Sequence, residues 1–270
     1  MAVTGHPYPI IEHDECPEAI IKADRHGKGP FPGLCLMTYF GEVLDGFVRE
    51  RRCREIHAYH SEMRDFPVYG LQYKGMDICL VQGLVGAPAA AMMAEFLFAY
   101  GVTSLVACGG CGALLDIPPG EVIVPVTAVR DEGTSYHYLP PSREIALDRE
   151  MTAAITRTLR TCRVPHMECK TWTTDGFYRE TPDMVRRRRE EGCHVVDMEC
   201  AALAAVARFR GKAFGQLLYS GDILADVENY DERGWKENLT AREKLFALSL
   251  EVLRHVGDGK SEAQPASGAS

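Results

Sequence analysis

The fold of this chain is decided by residues 76–113, MDICLVQGLVGAPAAAMMAEFLFAYGVTSLVACGGCGA. The apolar run at 76–83 predicts a strand, and the run at 103–109 predicts a second, buried strand. Between them, Pro88 begins an apolar helix that Gly101 ends. A strand, a helix and a strand in this order are typical of α/β proteins, in which helices cover a mostly parallel sheet.

The same alternation extends outward from this unit in both directions. The predicted strands are at 33–40, 66–74, 121–129, 167–174 and 212–222, the predicted helices are at 42–51, 146–162, 182–192 and 240–256, and residues 194–211 run from a strand into a helix. We therefore expect one α/β domain over residues 33–256, with a central mixed, mostly parallel sheet flanked by helices.

The two ends of the chain differ from this domain in composition. Residues 1–32 hold many Pro, Gly and charged residues without a clear period, and they predict an N-terminal arm. Residues 257–270 are rich in Gly, Ser and Ala and predict a disordered tail.

Composition narrows the class of ligand. Lys and Arg total 30 and Asp and Glu total 38, which gives a net charge of −8. An acidic chain has no general attraction for nucleic acids or anionic membranes, so a small molecule is the expected partner. The start MAVTGHPYPI lacks the pattern of a signal peptide, and no apolar run reaches the ~18 residues of a membrane span. The ten scattered cysteines, several inside apolar runs, are typical of reduced thiols and predict a cytoplasmic protein.

Glycines and polar side chains gather where predicted strands end, at 83–86, 109–112, 173–177 and 220–222. In sheets of this kind, ligands bind beyond the carboxyl ends of the strands. We therefore expect these four segments to surround a ligand site.

Gly109, Gly110 and Gly112 follow a buried strand. Consecutive glycines let backbone N–H groups approach an anion or a sugar without a side-chain clash, although a tight turn after a strand has the same composition. Cys108 and Cys111 lack the second pair or the spaced histidines of a zinc site, and they do not begin a helix as a redox pair does. No metal is therefore expected.

Three acidic residues and one aromatic residue are candidates for chemistry. Asp197 and Glu199 follow an apolar strand, where a carboxylate can accept hydrogen bonds from the vicinal hydroxyls of a ribose, but capping of the next helix is the simpler interpretation. Asp222 also ends an apolar strand, where it suits either a general acid or a helix cap. Phe177 either stacks on a flat heterocycle or belongs to the core. The basic run from Arg186 to Arg189 predicts a solvated helix face with ion pairs rather than a nucleic-acid site.

Five segments together resemble the nucleoside phosphorylase family, in its uridine phosphorylase and hexameric purine nucleoside phosphorylase branch. The resemblance covers about residues 64–256, and the segments occur in the family's order. They are Gly83-Leu-Val-Gly-Ala-Pro88, Gly109-Gly-Cys-Gly-Ala113, Asp131-Glu-Gly-Thr-Ser-Tyr-His137, Thr174-Asp-Gly-Phe-Tyr178 and Asp197-Met-Glu-Cys-Ala-Ala202.

The resemblance implies an enzyme that cleaves the N-glycosidic bond of a nucleoside, with inorganic phosphate as co-substrate and no other cofactor. Such an enzyme must hold an oxocarbenium-like ribose, neutralise the departing base and place the nucleophile. It also implies a homo-oligomer built from dimers, because the arginine that matches Arg64 reaches the phosphate of a neighbouring subunit. By resemblance, Met198 and Glu199 bind the ribose, Phe177, Cys111 and Gly112 bind the base, Asp222 protonates the base, and Arg64 and Gly110 bind phosphate.

The chain departs from the family mainly at the phosphate site. It has no Gly-Asp-Pro loop near the N-terminus, the arginine usual before the glycines is Ala107, and the serine or threonine usual among them is Gly110. The Gln and Arg that contact uracil in uridine phosphorylases are Thr181 and Asp183, so the base is not specified. Two alternatives stay open: a nucleosidase that uses water on the same scaffold, and a catalytically weak nucleoside-binding or regulatory protein.

Overall fold

Ten strands and six α-helices alternate along the part of the chain that the computed structural model describes, which is residues 5–23, 29–235 and 238–263. The strands are β1 (Leu34–Thr38), β2 (Arg54–His60), β3 (Asp65–Tyr73), β4 (Met76–Gln82), β5 (Ser104–Ala113), β6 (Val122–Asp131), β7 (Glu144–Ala146), β8 (His166–Thr174), β9 (Cys193–Asp197) and β10 (Ala213–Ile223). The helices are α1 (Gly41–Arg51), α2 (Ala87–Ala99), α3 (Arg149–Thr161), α4 (Pro182–Glu190), α5 (Cys200–Phe209) and α6 (Leu239–Ala263).

The unit formed by β4, α2 and β5 has the predicted order and nearly the predicted bounds. Pro88 lies in the first turn of α2, where its missing N–H costs no hydrogen bond. Gly101 follows the helix with a φ of 107°, a conformation that favours glycine. β4 and β5 are not direct neighbours, because β1 lies between them and pairs in parallel with both.

The sheet is mixed, as predicted, and its second half closes on itself. β3 and β2 extend one edge in antiparallel pairing beyond β4. On its other side, β5 pairs in parallel with β10, and β6, β8 and β9 follow in that order. β9 then pairs back to the end of β5, so that five strands form a ring. The longest pairings, β5 with β10 and β6 with β8, are parallel, which confirms the mostly parallel sheet.

The glycine cluster continues β5, so the interpretation as a turn is wrong. β5 pairs with β1 as far as Cys108 and pairs with β9 from Gly112. A Cβ atom on Gly109 would lie 3.0 Å from the ring of Tyr39, and one on Gly112 would lie 2.9 Å from Val196. The glycines therefore allow one strand to change neighbours at a place where side chains already fill the space.

The helices cover both faces of the sheet. α2 and α5 pack together over one core cluster, while α1, α3 and α6 cover the other. In the described ranges, none of the helices is long and apolar enough to cross a membrane.

The last helix runs further than predicted. α6 continues to Ala263, seven residues beyond 256, so the prediction of disorder is wrong for 257–263. Gly257 does not end the helix, because it lets the helix backbone pack closely on the sheet: a Cβ there would lie 3.0 Å from Leu34. Residues 264–270 lie outside the described residues.

The N-terminal segment and strand β2 were the least predictable parts. Residues 5–23 are mostly exposed and hold only a short 3₁₀ turn at Pro9–Ile11, and Arg210 donates a hydrogen bond of 2.8 Å to the carbonyl of Pro17. The arm over residues 1–32 stays a prediction.

β2 was not predicted, because its polar residues alternate along an edge strand that has one neighbour.

The basic run on α4 is only partly a solvated face. Its first two arginines are exposed, as predicted. Arg188 is buried and forms an ion pair of 2.8 Å with Asp131, and Arg189 donates a hydrogen bond of 2.9 Å to the carbonyl of Leu224. The prediction is therefore wrong for these two residues, which fix α4 to the rest of the domain.

Candidate active site

A cavity of about 280 Å³ lies where β5, β9 and β10 come together. Its walls come from residues at or near the carboxyl ends of these strands and from the segments that follow β1 and β8. The lining residues are Tyr39, Phe40, Val85, Gly109, Gly110, Cys111, Gly112, Phe177, Glu180, Val196, Asp197, Met198, Glu199, Leu218, Tyr219, Gly221, Asp222, Trp235 and Arg242.

All the candidate site residues but one line this cavity. The exception is Arg64, which is exposed, donates a hydrogen bond of 3.3 Å to Gln82 and lies over the ring of Phe66. The residues that the structure brings together are Gly110, Cys111, Gly112, Phe177, Met198, Glu199 and Asp222.

Glu199 is a buried carboxyl group whose side chain does not cap a helix. Its Oε1 accepts a hydrogen bond of 2.7 Å from the N–H of Gly86, at the start of α2. Burial, together with the negative charge of Asp197, raises the pKa of Glu199 to about 8. Glu199 lines the cavity, and the remaining lone pairs of its carboxyl can accept hydrogen bonds from hydroxyl donors.

Asp197 has the structural role that the sequence allowed for it. It accepts hydrogen bonds of 2.9 Å from both Thr171 and Thr173, and of 2.8 and 2.6 Å from the N–H groups of Glu199 and Cys200. Burial raises the pKa of Asp197, while these hydrogen bonds lower it. The capping interpretation is therefore right for Asp197 and wrong for Glu199, which Asp197 holds in place.

One end of the cavity is formed by Phe177, Glu180 and Asp222, and we call it the base end because the sequence resemblance predicts contacts of Phe177 and Asp222 with a base. The side chain of Phe177 is 46% exposed, so it is not a core residue. Asp222 does not cap a helix, because the next helix begins only at Leu239. Burial raises the pKa of Asp222, and a hydrogen bond from Tyr230 lowers it. A flat ring and a partly desolvated carboxyl group thus face the same space.

Glu180 is a site residue that the sequence did not indicate. It lies between the 3₁₀ turn at Phe177–Arg179 and Thr181, which caps α4. Burial, together with the negative charge of Asp222, raises the pKa of Glu180 to about 8. Its position just before a cap and a proline indicates only that it lies outside the helix, and no motif marks it.

A second part of the cavity wall, which we call the glycine end, contains an aromatic ring. Tyr39 directly follows β1, and its ring lies against Gly83 and Gly109, where added Cβ atoms would be 2.7 Å and 3.0 Å from it. Burial raises the pKa of Tyr39, and the negative charges of Glu199 and Asp197 raise it further. The ring therefore occupies the place beside the glycines and stays a neutral phenol.

Arg242, at the start of α6, is the only positively charged residue among the described residues that line the cavity. Its Nε donates a hydrogen bond of 3.3 Å to the hydroxyl of Tyr219, and its Nη2 donates one of 3.2 Å to the carbonyl of Trp235. It also forms an ion pair with Glu42. Arg242 was not predicted from the sequence, because no motif surrounds it.

Residues 34–254 match the phosphorylase superfamily. The chain belongs to this superfamily. A guanosine phosphorylase from Halorubrum lacusprofundi is 27% identical over 170 residues, which are 61% of this chain and 69% of that protein. A DeoD-type purine nucleoside phosphorylase from Bacillus cytotoxicus is 28% identical over 215 residues, which are 76% of this chain and 87% of that protein.

A solved structure supports the fold independently. The AMP nucleosidase from Bacteroides thetaiotaomicron has a TM-score of 0.69 with this superfamily member at 22% identity, and the match covers 86% of this chain and 91% of that chain. These matches confirm the resemblance to the nucleoside phosphorylases and the α/β fold that the alternation of strands and helices predicted.

The two cysteines beside the glycines are buried, neutral thiols in this superfamily member. Burial raises the pKa of Cys108 to about 11, and its sulfur lies 3.3 Å from the hydroxyl of Thr38. Cys111 donates a hydrogen bond of 3.4 Å to the carbonyl of Tyr219. Within the described ranges, no three residues of the metal-ligating types are grouped to hold an ion.

Proposed function

We propose that the protein cleaves the N-glycosidic bond of a purine nucleoside, with phosphate as the second substrate and ribose 1-phosphate and the free base as products. The observation that carries the proposal is the placement of Glu199 and Asp222 on the walls of one cavity, with Phe177 beside Asp222. The guanosine and purine nucleoside phosphorylases among the relatives support a purine as the base of the substrate.

Glu199 binds the ribose together with Met198. The carboxyl can accept hydrogen bonds from two vicinal hydroxyls while it keeps the one from Gly86. Hydroxyl donors favour the ionised carboxylate, so binding of the nucleoside lowers the pKa of Glu199 from about 8. The charge then stabilises the positive sugar as the bond breaks.

Asp222 is the general acid. When the bond between C1′ and the base breaks, its electron pair moves to the base, and the proton of Asp222 neutralises that charge at a ring nitrogen. Burial favours the protonated form of Asp222, because it raises the pKa. Phe177 lies against the face of the base and orients it.

An oxygen of phosphate forms the new bond to C1′ at the glycine end. We propose that the N–H of Gly110 and Arg64 of a neighbouring subunit hold the phosphate, because Arg64 does not line the cavity of its own chain. The unit would then be a homo-oligomer built from dimers. A cytoplasmic location fits the ten free cysteines.

Subunit mixing tests this arrangement. Chains with Arg64→Ala and chains with Asp222→Asn should each be slow, and exchange of their subunits should restore activity, because a hybrid dimer holds one intact site. If mixing restores nothing although hybrids form, Arg64 does not serve a neighbouring subunit.

Hydrolysis is the second candidate, and a specific observation favours it. The ring of Tyr39 covers Gly109, and Ala107, where the family has an arginine, is buried in the core. Arg242 is the remaining cation in the described lining, and Glu42 already pairs with it. A water molecule is smaller than phosphate and carries no charge, so it can bind at this end with less space and without a free cation.

One experiment separates the candidates. A panel of purine nucleosides is incubated with and without phosphate, and the free base, ribose and ribose 1-phosphate are measured, with Asp222→Asn as the control. Phosphorolysis predicts base and ribose 1-phosphate only with phosphate, and hydrolysis predicts base and ribose in both. No base under either condition leaves a nucleoside-binding protein.

A further inference from the structure

Arg242 is a buried cation that lines the active-site cavity. The rings of Phe40 and Trp235 lie beside it, with their centroids 5.7 Å and 5.5 Å from the central carbon of the guanidinium. Its Nε donates a hydrogen bond of 3.3 Å to the hydroxyl of Tyr219, and a Cβ atom on Gly110 would lie 3.6 Å from the same hydroxyl. The positive charge is therefore close to the glycine whose N–H we propose to hold phosphate.

The guanidinium of Arg242 keeps donors for a ligand. It has five N–H groups. Hydrogen bonds within the described part of the chain use one N–H on each of its three nitrogens, and the acceptors are Tyr219, Glu42 and the carbonyl of Trp235. One N–H on each Nη atom is left. Two N–H groups on one planar guanidinium suit the oxygens of a phosphate group.

Glu42 is the acidic partner of this cation. It lies in the first turn of α1, and its side chain is 50% exposed, so water reaches its ion pair with Arg242. An ion pair in contact with water contributes little stability, and either partner can exchange for another ion. The carboxylate of Glu42 and a phosphate group attract the same guanidinium. Removal of the charge of Glu42 should therefore favour the phosphate.

The replaced phosphate residues explain why a cation is needed here. Ala107, where the family has an arginine, is buried in the core, and Arg242 is the one cation in the described lining of the cavity. It comes from the start of α6 rather than from β5, which carries Ala107. We propose that Arg242 binds a phosphate group in the active-site cavity and that Glu42 competes with that group for it. Inorganic phosphate and the 5′-phosphate of a nucleotide substrate present the same oxygens to such a site.

This inference rests on the proposed cleavage of a nucleoside, and binding without turnover tests it. Calorimetry gives the Kd of inorganic phosphate and of inosine 5′-monophosphate for the wild type, Arg242→Gln and Glu42→Gln. Loss of a charged hydrogen bond should weaken binding of the phosphate group ~10-fold or more in Arg242→Gln. Removal of the competing charge should tighten it ~3–10-fold in Glu42→Gln. If the ion pair only stabilised the fold, the two substitutions would act in the same direction.

Each substitution has a matched control on its own helix. Arg254→Gln removes a positive charge whose ion pairs lie within α6, and Asp45→Asn removes an exposed negative charge from α1. Neither residue is among the described residues that line the cavity, so both controls should keep the wild-type Kd. Should Arg242→Gln fail to fold, as judged by circular dichroism, Glu42→Gln decides alone.

Kinetics identify the source of the phosphate group. If it is inorganic phosphate, Arg242→Gln raises the KM for phosphate and leaves the KM for inosine unchanged. If it is a 5′-phosphate, the same variant lowers kcat/KM for inosine 5′-monophosphate but not for inosine. Three results overturn the proposal: unchanged affinity for both ligands in Arg242→Gln, unchanged or weaker binding in Glu42→Gln, or a wild type that binds neither ligand.

Release of the free base from inosine separates this inference from the proposed function. If the wild type releases the base but its affinity for phosphate groups does not depend on Arg242, only the role of Arg242 is wrong. If no base is released but binding of a phosphate group depends on Arg242, only the proposed reaction is wrong. If neither is observed, both proposals fail.

Discussion

The two ends of the cavity differ in how they are built. The base end consists of side chains on irregular segments and at a strand end, with Phe177 46% exposed and two carboxyl groups. The glycine end consists of strand backbone and the buried ring of Tyr39. Loops tolerate substitution better than packed strands. The residues that bind phosphate in the family are therefore replaced in this chain at the glycine end, where packed strands tolerate substitution least.

The largest effect should come from Asp222→Asn at the base end. The amide can still donate a hydrogen bond but no proton, so the rate on natural purine nucleosides should fall by ~10²–10⁴-fold. The loss should be smaller for a nucleoside whose base leaves easily without protonation. Initial rates on both substrates check this, and an equal loss on both would mean that Asp222 orients the substrate instead.

A smaller effect is expected at Glu199. Glu199→Gln keeps the shape of the side chain but removes the charge that strengthens its hydrogen bonds to hydroxyls. Transition-state binding should weaken by ~1.5–3 kcal/mol. The measurement is kcat/KM with a ribonucleoside, and wild-type turnover in the variant would remove Glu199 from the ribose site.

The glycine end can be tested through stability. The methyl group of Gly83→Ala would lie 2.7 Å from the ring of Tyr39, and such overpacking costs about 1–3 kcal/mol of unfolding free energy. The matched control is Gly46→Ala in α1, where nothing lies within 4 Å and the helix should gain about 0.5–1 kcal/mol. Urea unfolding measures both. When Tyr39 is also changed to Ala, Gly83→Ala should lower the unfolding free energy by less. An unchanged loss would mean that the methyl group at position 83 does not contact the ring of Tyr39.

The smallest effect, taken per unit of pH, is the pH dependence of stability. Because the pKa of Glu199 is raised from 4.5 to about 8, the folded state holds its proton more tightly than the unfolded state does. This stability is fully present below pH 4.5 and is lost as the pH rises through about 8. The wild type should therefore lose stability relative to Glu199→Gln by at most ~1.4 kcal/mol for each pH unit across this window, since one pKa unit corresponds to that free energy. If the difference in unfolding free energy between the wild type and Glu199→Gln does not change with pH, the pKa of Glu199 is not raised.

The sequence predicted the fold well where local signals decide it. Pro88 and Gly101 bound α2 because helix ends depend on neighbouring residues. The continuation of β5 through Gly112 could not be predicted, because a change of strand partner depends on where β9 lies. The continuation of α6 beyond residue 256 was missed for a similar reason, since Gly257 contacts a distant strand.

The same distinction holds for the site. Glu199 and Asp222 lie in patterns that a strand end and a family resemblance make visible. Tyr39, Glu180 and Arg242 come from three distant segments, and each is important only because the folded chain brings it to the cavity. No local sequence pattern predicts that residues so far apart in the chain line one cavity.

The pairing of β5 with β10 has a consequence for how the protein is made. Cys111 and Tyr219 touch across this pairing and are 108 positions apart in the chain. During synthesis, most of the polypeptide is therefore made before β10, the strand that pairs with the glycines at 109–112, exists. Pairings of this separation form slowly, because a long loop has to close first. We expect the early strands β1 to β4 to be protected from hydrogen exchange first during refolding, and the cavity to become able to bind ligand only in the last kinetic phase.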